Sequence, residues 1–374
     1  MSDQLVTIAV HNYSRAQVLK SRLNAEGIDC YLKNVNLVHS AVAGGVKVRV
    51  HEQDMEKALR IVEKVNEEYR REDLEAEKPG KKVQRILVPV DFSRYSRNAC
   101  QYAIGLGEKL HAEVKLLHVY YNPIVNSMPM TDTYYYQVNL DEIIRDIELR
   151  AKERMDAFYR DLKGQIEDQQ LNNVRLDYAL IRGITHEEIL MQSQEYDPDL
   201  IIVGTRGHGE QPGDLIGGVT RKIMENANVP VLAIPESSQY KGISNINVMY
   251  VTDFDDSDYR ALRKLMRLVS PFNVRLYCVH ISTSESGKWD QVKMDTLKEH
   301  IVREYNPQQF ECDLIEEGQD KLKGIQDFIT DKDIDILSMV THKRNLISRI
   351  FNPGIEKKLL FHSNVPLLVF HANE

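Results

Sequence analysis

This chain writes the same stretch twice. Val90-Asp91-Phe92 recurs as Thr252-Asp253-Phe254, and Leu117-His118-Val119 recurs as Val279-His280-Ile281 at the same offset with no gap. The helix-spaced stripe Ala99, Ala103 and Leu106 is answered by Ala261, Leu265 and Leu268, and Asn228-Val229-Pro230-Val231-Leu232 returns as Asn364-Val365-Pro366-Leu367-Leu368. Self-similarity on this scale means one structural unit used twice, here over residues 84–238 and 243–374. Within the first copy, apolar runs at Ile86 to Val90, Val114 to Val119, Leu176 to Leu180, Leu200 to Val203 and Val229 to Ile234 alternate with helical patterns. Strands that are apolar throughout and separated by helices indicate an α/β unit whose parallel sheet is covered on both faces. The helices are expected over Ser96 to Leu110, over Leu140 to Leu162, and from Thr185, where Thr185-His186-Glu187-Glu188 fits a capping box. Asn122 to Asn139, with the run Tyr134-Tyr135-Tyr136, reads as a long surface loop.

Residues 1–70 follow a different plan. Their patterns give βαββα: a strand over Leu5 to Val10, a helix over Ser14 to Glu26 stopped by Gly27, and a strand over Ile28 to Leu32. After a turn at Gly44-Gly45, a half-buried strand alternates Val46, Val48 and Val50 with Lys47 and Arg49, and a helix runs from Asp54 to Tyr69. That order suggests a small ferredoxin-like α+β unit, and it resembles a small signal-transducing domain common in bacteria. His11, His39 and His51 are expected on exposed loops. The charged stretch 71–83, with Pro79-Gly80, reads as a linker that begins helically.

A chain of 374 residues is too long for one core. Its net charge of -8 argues against nucleic acid as a general partner. No apolar run reaches the ~18 residues of a membrane span, and the start of the chain lacks a signal-peptide layout. Cys30, Cys100, Cys278 and Cys312 are scattered without a CxxC pair, so buried reduced thiols in a cytoplasmic protein are expected rather than disulfides or a zinc site.

Gly204 to Thr220, GTRGHGEQPGDLIGGVT, lies between an apolar strand and a helix start. Glycines admit a phosphate close to the backbone, and amides at a helix N-terminus point towards it. Arg206, His208, Arg221 and Lys222 add donors or positive charge. A tight connection that holds no ligand is the plainer alternative. No Walker Gly-Lys-Ser/Thr sequence is present, and Pro212 stands where a Rossmann fingerprint beginning at Gly207 would need its last glycine. No Gly-x-Ser-x-Gly elbow or His-Glu-x-x-His motif occurs either.

ILVPVDFS, DPDLIIVGTRGHG and NVPVLAIP resemble the universal stress protein family, across both repeats. The resemblance implies two tandem five-stranded parallel sheets of order 3-2-1-4-5, Rossmann-like, with the ligand at the strand C-terminal ends. ATP-binding members carry Gly-x-x-Gly, nine residues, then Gly-Ser or Gly-Thr. Gly204, Gly207, Gly217 and Gly218 reproduce that spacing, except that Gly218 stands where the hydroxyl belongs. Carried over, adenine and ribose contacts fall on Pro89, Asp91 and Val119. Phosphate contacts fall on Val203, Gly204, Arg206, Gly207, Gly217, Gly218 and Val219, with Thr220 as a substitute hydroxyl. Asp91 would accept a ribose hydroxyl or help hold Mg2+, or it caps the following helix.

The resemblance implies an adenine nucleotide (ATP, ADP or AMP) as ligand and a cytoplasmic stress-response role without an enzymatic one; slow ATP hydrolysis is the alternative. Val340 and Lys343 replace the first two glycines in the second repeat, and Pro353-Gly354 replaces the last pair. That repeat is therefore expected to be a structural partner, packed as the second subunit of a family dimer. A homodimer of the whole chain stays open. A ligand-free scaffold, with the N-terminal unit binding a protein partner, is the rival reading. His118 and His280, at equivalent strand ends, are expected to be structural, and Asp253 persists at the position of Asp91.

Overall fold

The computed structural model describes residues 5–11, 13–33, 46–76, 83–120, 133–207, 216–238, 240, 245–254, 256–282, 287–305, 307, 309–316, 321–341 and 365–371. His39, Gly44-Gly45, Pro79-Gly80, His208, Pro212, Lys343 and Pro353-Gly354 lie outside the described residues.

The N-terminal unit runs β1 (Leu5–His11), α1 (Tyr13–Ala25), β2 (Cys30–Lys33), β3 (Val46–His51), one 3-10 turn (Glu52–Asp54) and α2 (Met55–Ala76). Its three strands form an antiparallel sheet of order β1-β3-β2, with a register shift between Thr7 and Ala9. Alternation in β3 sends Val46, Val48 and Val50 into a core with Leu19, Leu23, Ile28, Met55, Ala58 and Val62. The helix expected to stop at Tyr69 continues to Ala76, into the stretch read as linker, because nothing from Arg70 to Ala76 breaks a helix. His11 and His51 sit on strands, not on loops.

The first repeat runs β4 (Arg85–Pro89), α3 (Arg94–Leu110), β5 (Glu113–Tyr120), α4 (Thr133–Asp168), β6 (Arg175–Arg182), α5 (Thr185–Glu195), β7 (Leu200–Gly204), α6 (Gly218–Asn226) and β8 (Val231–Ile234). The second runs β9 (Asn245–Val251), α7 (Asp256–Val269), β10 (Asn273–Ser282), α8 (Gly287–Tyr305), β11 (Gln309–Glu316), α9 (Lys321–Asp331), β12 (Ile336–Thr341) and β13 (Leu367–His371). Strands pair in parallel within each repeat in the order 3-2-1-4-5, as β6-β5-β4-β7-β8 and β11-β10-β9-β12-β13. The last strand of each then pairs antiparallel with the other, Leu368 opposite Leu232, so that the two repeats form one ten-stranded sheet.

Each face of that sheet carries a core that crosses the join. One holds Leu232, Ile234, Leu368, Phe370 and Tyr250; the other holds Val231, Ala233, Leu367 and Val369. The segment after β8 is fastened back onto α3. Asn98 Nδ2 donates to the Glu236 carbonyl at 2.5 Å, and the Tyr102 and Ser238 hydroxyls meet at 2.5 Å. Gly105 leaves the space that the Tyr240 ring occupies: a Cβ there would lie 2.1 Å from its Cζ.

Two local expectations are corrected. Helix α4 begins at Thr133, so the run Tyr134-Tyr135-Tyr136 is helical rather than looped. The cap of α5 is Ile184, whose carbonyl accepts from Glu188 N at 3.0 Å; Thr185 is already helical and caps nothing through its side chain. Glu188 instead folds its side chain over Gly183, into the space that a Cβ there would take. Cys30, Cys100 and Cys278 are buried and Cys312 half-buried, all as free thiols. Burial pushes every one of their pKa values up, Cys312 to about 12, which keeps them un-ionised. Among the described residues no helix is long and apolar enough to cross a membrane.

Candidate functional site

The order of the sheet reverses at β4, which has β5 on one side and β7 on the other. At such a switch point the loops leaving the two strands part and open a crevice at their C-terminal ends. Asp91 leaves β4 on one side, and the glycine loop leaves β7 on the other.

On the β4 side the chain turns through Phe92, whose φ of 65 is left-handed, and enters α3 at Ser93. Asp91 Oδ1 accepts from Ser93 N at 3.0 Å and from Ser93 Oγ at 2.6 Å, and Ser93 Oγ accepts from Ser96 N at 3.2 Å. One carboxylate oxygen therefore braces the capping residue of α3 while the other turns to the glycine loop. A Cβ on Gly207 would lie 2.6 Å from Asp91 Oδ2. Phe92 packs on His118 at 4.4 Å, and His118 Nδ1 lies 2.7 Å from the Val90 carbonyl. A carbonyl only accepts, so Nδ1 carries the proton; burial lowers the pKa of His118 and keeps the ring neutral. His280 makes the same contacts with Thr252 and Phe254 in the second repeat. Both histidines hold the strand-end turn in shape, as expected of structural residues.

On the β7 side the two ends of the loop are clamped together. Gly217 N donates to the Thr205 carbonyl at 2.8 Å, and Thr220 Oγ1 donates to the Gly204 carbonyl at 2.8 Å. Thr220 is 4% exposed and its hydroxyl is committed to this brace. Gly217 is the N-cap of α6. The amides of Gly218, Val219 and Thr220 open that helix, where intrahelical acceptors are missing and the macrodipole is positive. Gly204 is needed for packing: a Cβ there would lie 2.7–2.9 Å from Tyr95 Cβ, C and O. Arg206 lies over the Tyr95 ring at 5.8 Å. Val119 and Val203 line the buried core beneath, with Val219 packed against it, and Pro89 ends β4, opposite Leu117. The crevice floor is thus apolar and its rim polar.

Asp91, Gly204, Gly207, Gly217 and Thr220 are brought together by these contacts. The sequence had not pointed to Ser93 or Tyr95. Ser93 is recognisable afterwards as a hydroxyl immediately before the helix. Tyr95 carries no local signal, because its role is to offer backbone to a glycine more than a hundred positions away.

The second repeat departs where its glycines are lost. Val340, 6% exposed, stands where Gly204 stands in the first. Asp258, 2% exposed, takes hydrogen bonds from Tyr250 Oη at 2.6 Å, Thr252 Oγ1 at 2.7 Å and Asp253 N at 3.2 Å. That strand end is satisfied from within the protein.

The universal stress protein family model matches residues 82–235 and 246–371. The chain belongs to the universal stress protein family. A second family model, "Putative prokaryotic signal transducing protein", matches residues 8–66. The universal stress protein MJ0577 of Methanocaldococcus jannaschii is 25% identical over 155 residues, 40% of this chain and 94% of that protein. The universal stress protein YxiE of Bacillus subtilis is 27% identical over 151 residues, 40% of this chain and 97% of that protein. Each spans about one repeat. A solved universal stress protein from Archaeoglobus fulgidus covers 78% of this chain and 97% of its own, at a TM-score of 0.56 and 18% identity, a likeness of fold.

Proposed function

We propose that the first repeat binds an adenine nucleotide and that this chain is a cytoplasmic stress-response signalling protein that responds to it. Phosphates would sit at the N-terminus of α6, beside Gly217 and Gly218, on the amides of Val219 and Thr220 and under Arg206. The ribose would lie at Asp91, with the base over Val119 and Pro89. The approach of Asp91 Oδ2 to Gly207 carries this reading, because a carboxylate that faces the glycine loop at the switch point is suited to accept a ribose hydroxyl. Thr220 contributes its amide and the brace, since its hydroxyl is already donated to Gly204. As the alternative to the ribose contact, Asp91 and the phosphates would hold a magnesium ion, the combination of one carboxylate and substrate oxygens that suits it; it would neutralise phosphate charge. The second repeat serves as built-in structural partner, its strand end closed around Asp258.

Calorimetric titration with ATP, ADP and AMP, with and without magnesium, tests the reading. Saturable heat is expected from at least one nucleotide, and none from Gly207→Asp, whose new carboxylate would stand against Asp91. Silence from the wild-type chain, or equal heat from the variant, refutes it. Phosphate release measured in the same samples distinguishes binding from slow hydrolysis.

A further inference from the structure

The N-terminal sheet carries both of its helices on one face. Residues directly opposite across antiparallel strands share a face, so the register gives the composition of the other. Tyr31 and Thr7 lie opposite Arg49, Leu5 lies opposite His51, and Lys33 lies opposite Lys47. Val46, Val48, Val50 and Cys30 point the other way, into the core. The outward face therefore presents three cations and two aromatic rings, with Leu5 and Thr7. β1, β2 and β3 contain no Asp or Glu at all, in a chain whose 56 acids outnumber its 48 Lys and Arg.

Two features mark this face as more than a solvated surface. Lys33 and Lys47 are both exposed, and as a like-charge pair directly across a ladder they repel. An anion laid between them would remove that repulsion. Tyr31 is 45% exposed and stands edge-on to His51 at 5.5 Å, giving an apolar anchor beside the cations. Arg49, half-buried, is fixed by its Nη2 donating to the Leu5 carbonyl at 2.6 Å, so that its charge is held in place within the patch.

We infer that this sheet face docks an acidic segment of a partner protein, with Lys33 and Lys47 taking its carboxylates and Tyr31 packing against its apolar atoms. Charge complementarity selects this occupant. A second copy of the chain would oppose cations to cations, which disfavours a symmetric dimer through this face. A single nucleic-acid strand needs ring faces for stacking and a run of cations along its backbone. Tyr31 and His51 meet edge to face, and a long polyanion would be repelled by a molecule of net charge -8. A short acidic segment senses mainly the patch, because charges more than about 8 Å away are screened at physiological ionic strength.

The test uses the full chain and fluorescence anisotropy at physiological salt. Its probes are a short fluorescein-labelled Glu-rich peptide, the same peptide with Gln for Glu, and a single-stranded oligothymidine of matched charge. Saturable binding of the Glu-rich peptide alone is expected. Lys47→Glu should weaken it roughly tenfold, as an attraction turns into a repulsion, while the melting temperature holds or rises because Lys33 gains an opposite charge. Lys33→Gln, a neutral change at an exposed site, should weaken binding by a smaller factor. No binding of the Glu-rich peptide, unchanged binding by Lys47→Glu, or tighter binding of the oligothymidine each overturns the inference.

Discussion

Gly218→Ser is the sharpest probe of the glycine loop. Gly218 is exposed, begins α6, and has no atom within 4 Å of where a Cβ would project. The backbone can therefore accept a serine without displacing anything, and the new hydroxyl would stand at the helix N-terminus, where ATP-binding family members carry theirs. A hydrogen bond from a neutral donor to a charged phosphate contributes about 1.5–3 kcal/mol. At ~1.4 kcal/mol per tenfold, that corresponds to an affinity for ATP about ten to one hundred and fifty times higher than that of the native chain. Adenosine, which has no phosphate, should gain nothing. Unliganded stability should move by less than about 1 kcal/mol, since serine suits the first turn of a helix. Calorimetry with ATP, ADP and adenosine on both proteins gives the comparison. A correctly folded Gly218→Ser protein that binds ATP no tighter than the native chain, or gains equally for adenosine, would refute the placement of phosphates at this helix.

Gly204→Ala should destabilise the chain by roughly 1–3 kcal/mol in urea unfolding, because its methyl meets the Tyr95 backbone rather than a yielding side-chain tip; an unchanged midpoint would mean that α3 and β7 can part freely. The folded-state pKa of His118 is lowered by burial, so the unfolded chain binds the proton more readily. Its contribution to stability is thus complete above the ordinary value of about 6.5 and is lost as pH falls below it. Unfolding at pH 7.5 and 5.5 should show a smaller loss for His118→Gln than for the native chain, and an equal loss would count against it.

How much of this could be read from residues alone depended on whether the signal was local. The repeat and its parallel sheets were visible because strands buried on both faces must be apolar throughout, as in Leu200 to Val203, and because the register of identical residues survives duplication. The join between β8 and β13 was not. An edge strand that pairs with another chain segment has the same apolar composition as an interior one, so Val231 to Ile234 says nothing about its neighbour. The orientation of Thr220 was equally hidden, since a hydroxyl in the first helical turn can face a ligand or a nearby carbonyl, and only the path of β7 decides. The start of α4 was misplaced because Tyr134-Tyr135-Tyr136 has weak intrinsic helix preference, which the rest of a 36-residue helix overrides. The α5 cap failed for a similar reason: Thr185 fits the pattern, but the Ile184 carbonyl closes the first turn one residue earlier.

The antiparallel seam of β8 and β13 changes what evolution can do with the two repeats. When identical subunits associate, one gene writes both sites, so any substitution that disables one disables its twin. Joined in a single polypeptide, the halves are held together by the chain itself, whatever the protein concentration, and each is free to mutate alone. That freedom is visible in the two crevices: one keeps Gly204 and Gly207 beside Asp91, while the other has Val340 and a strand end closed around Asp258. If the first crevice alone takes the ligand proposed above, such a chain holds one ligand for every two folds.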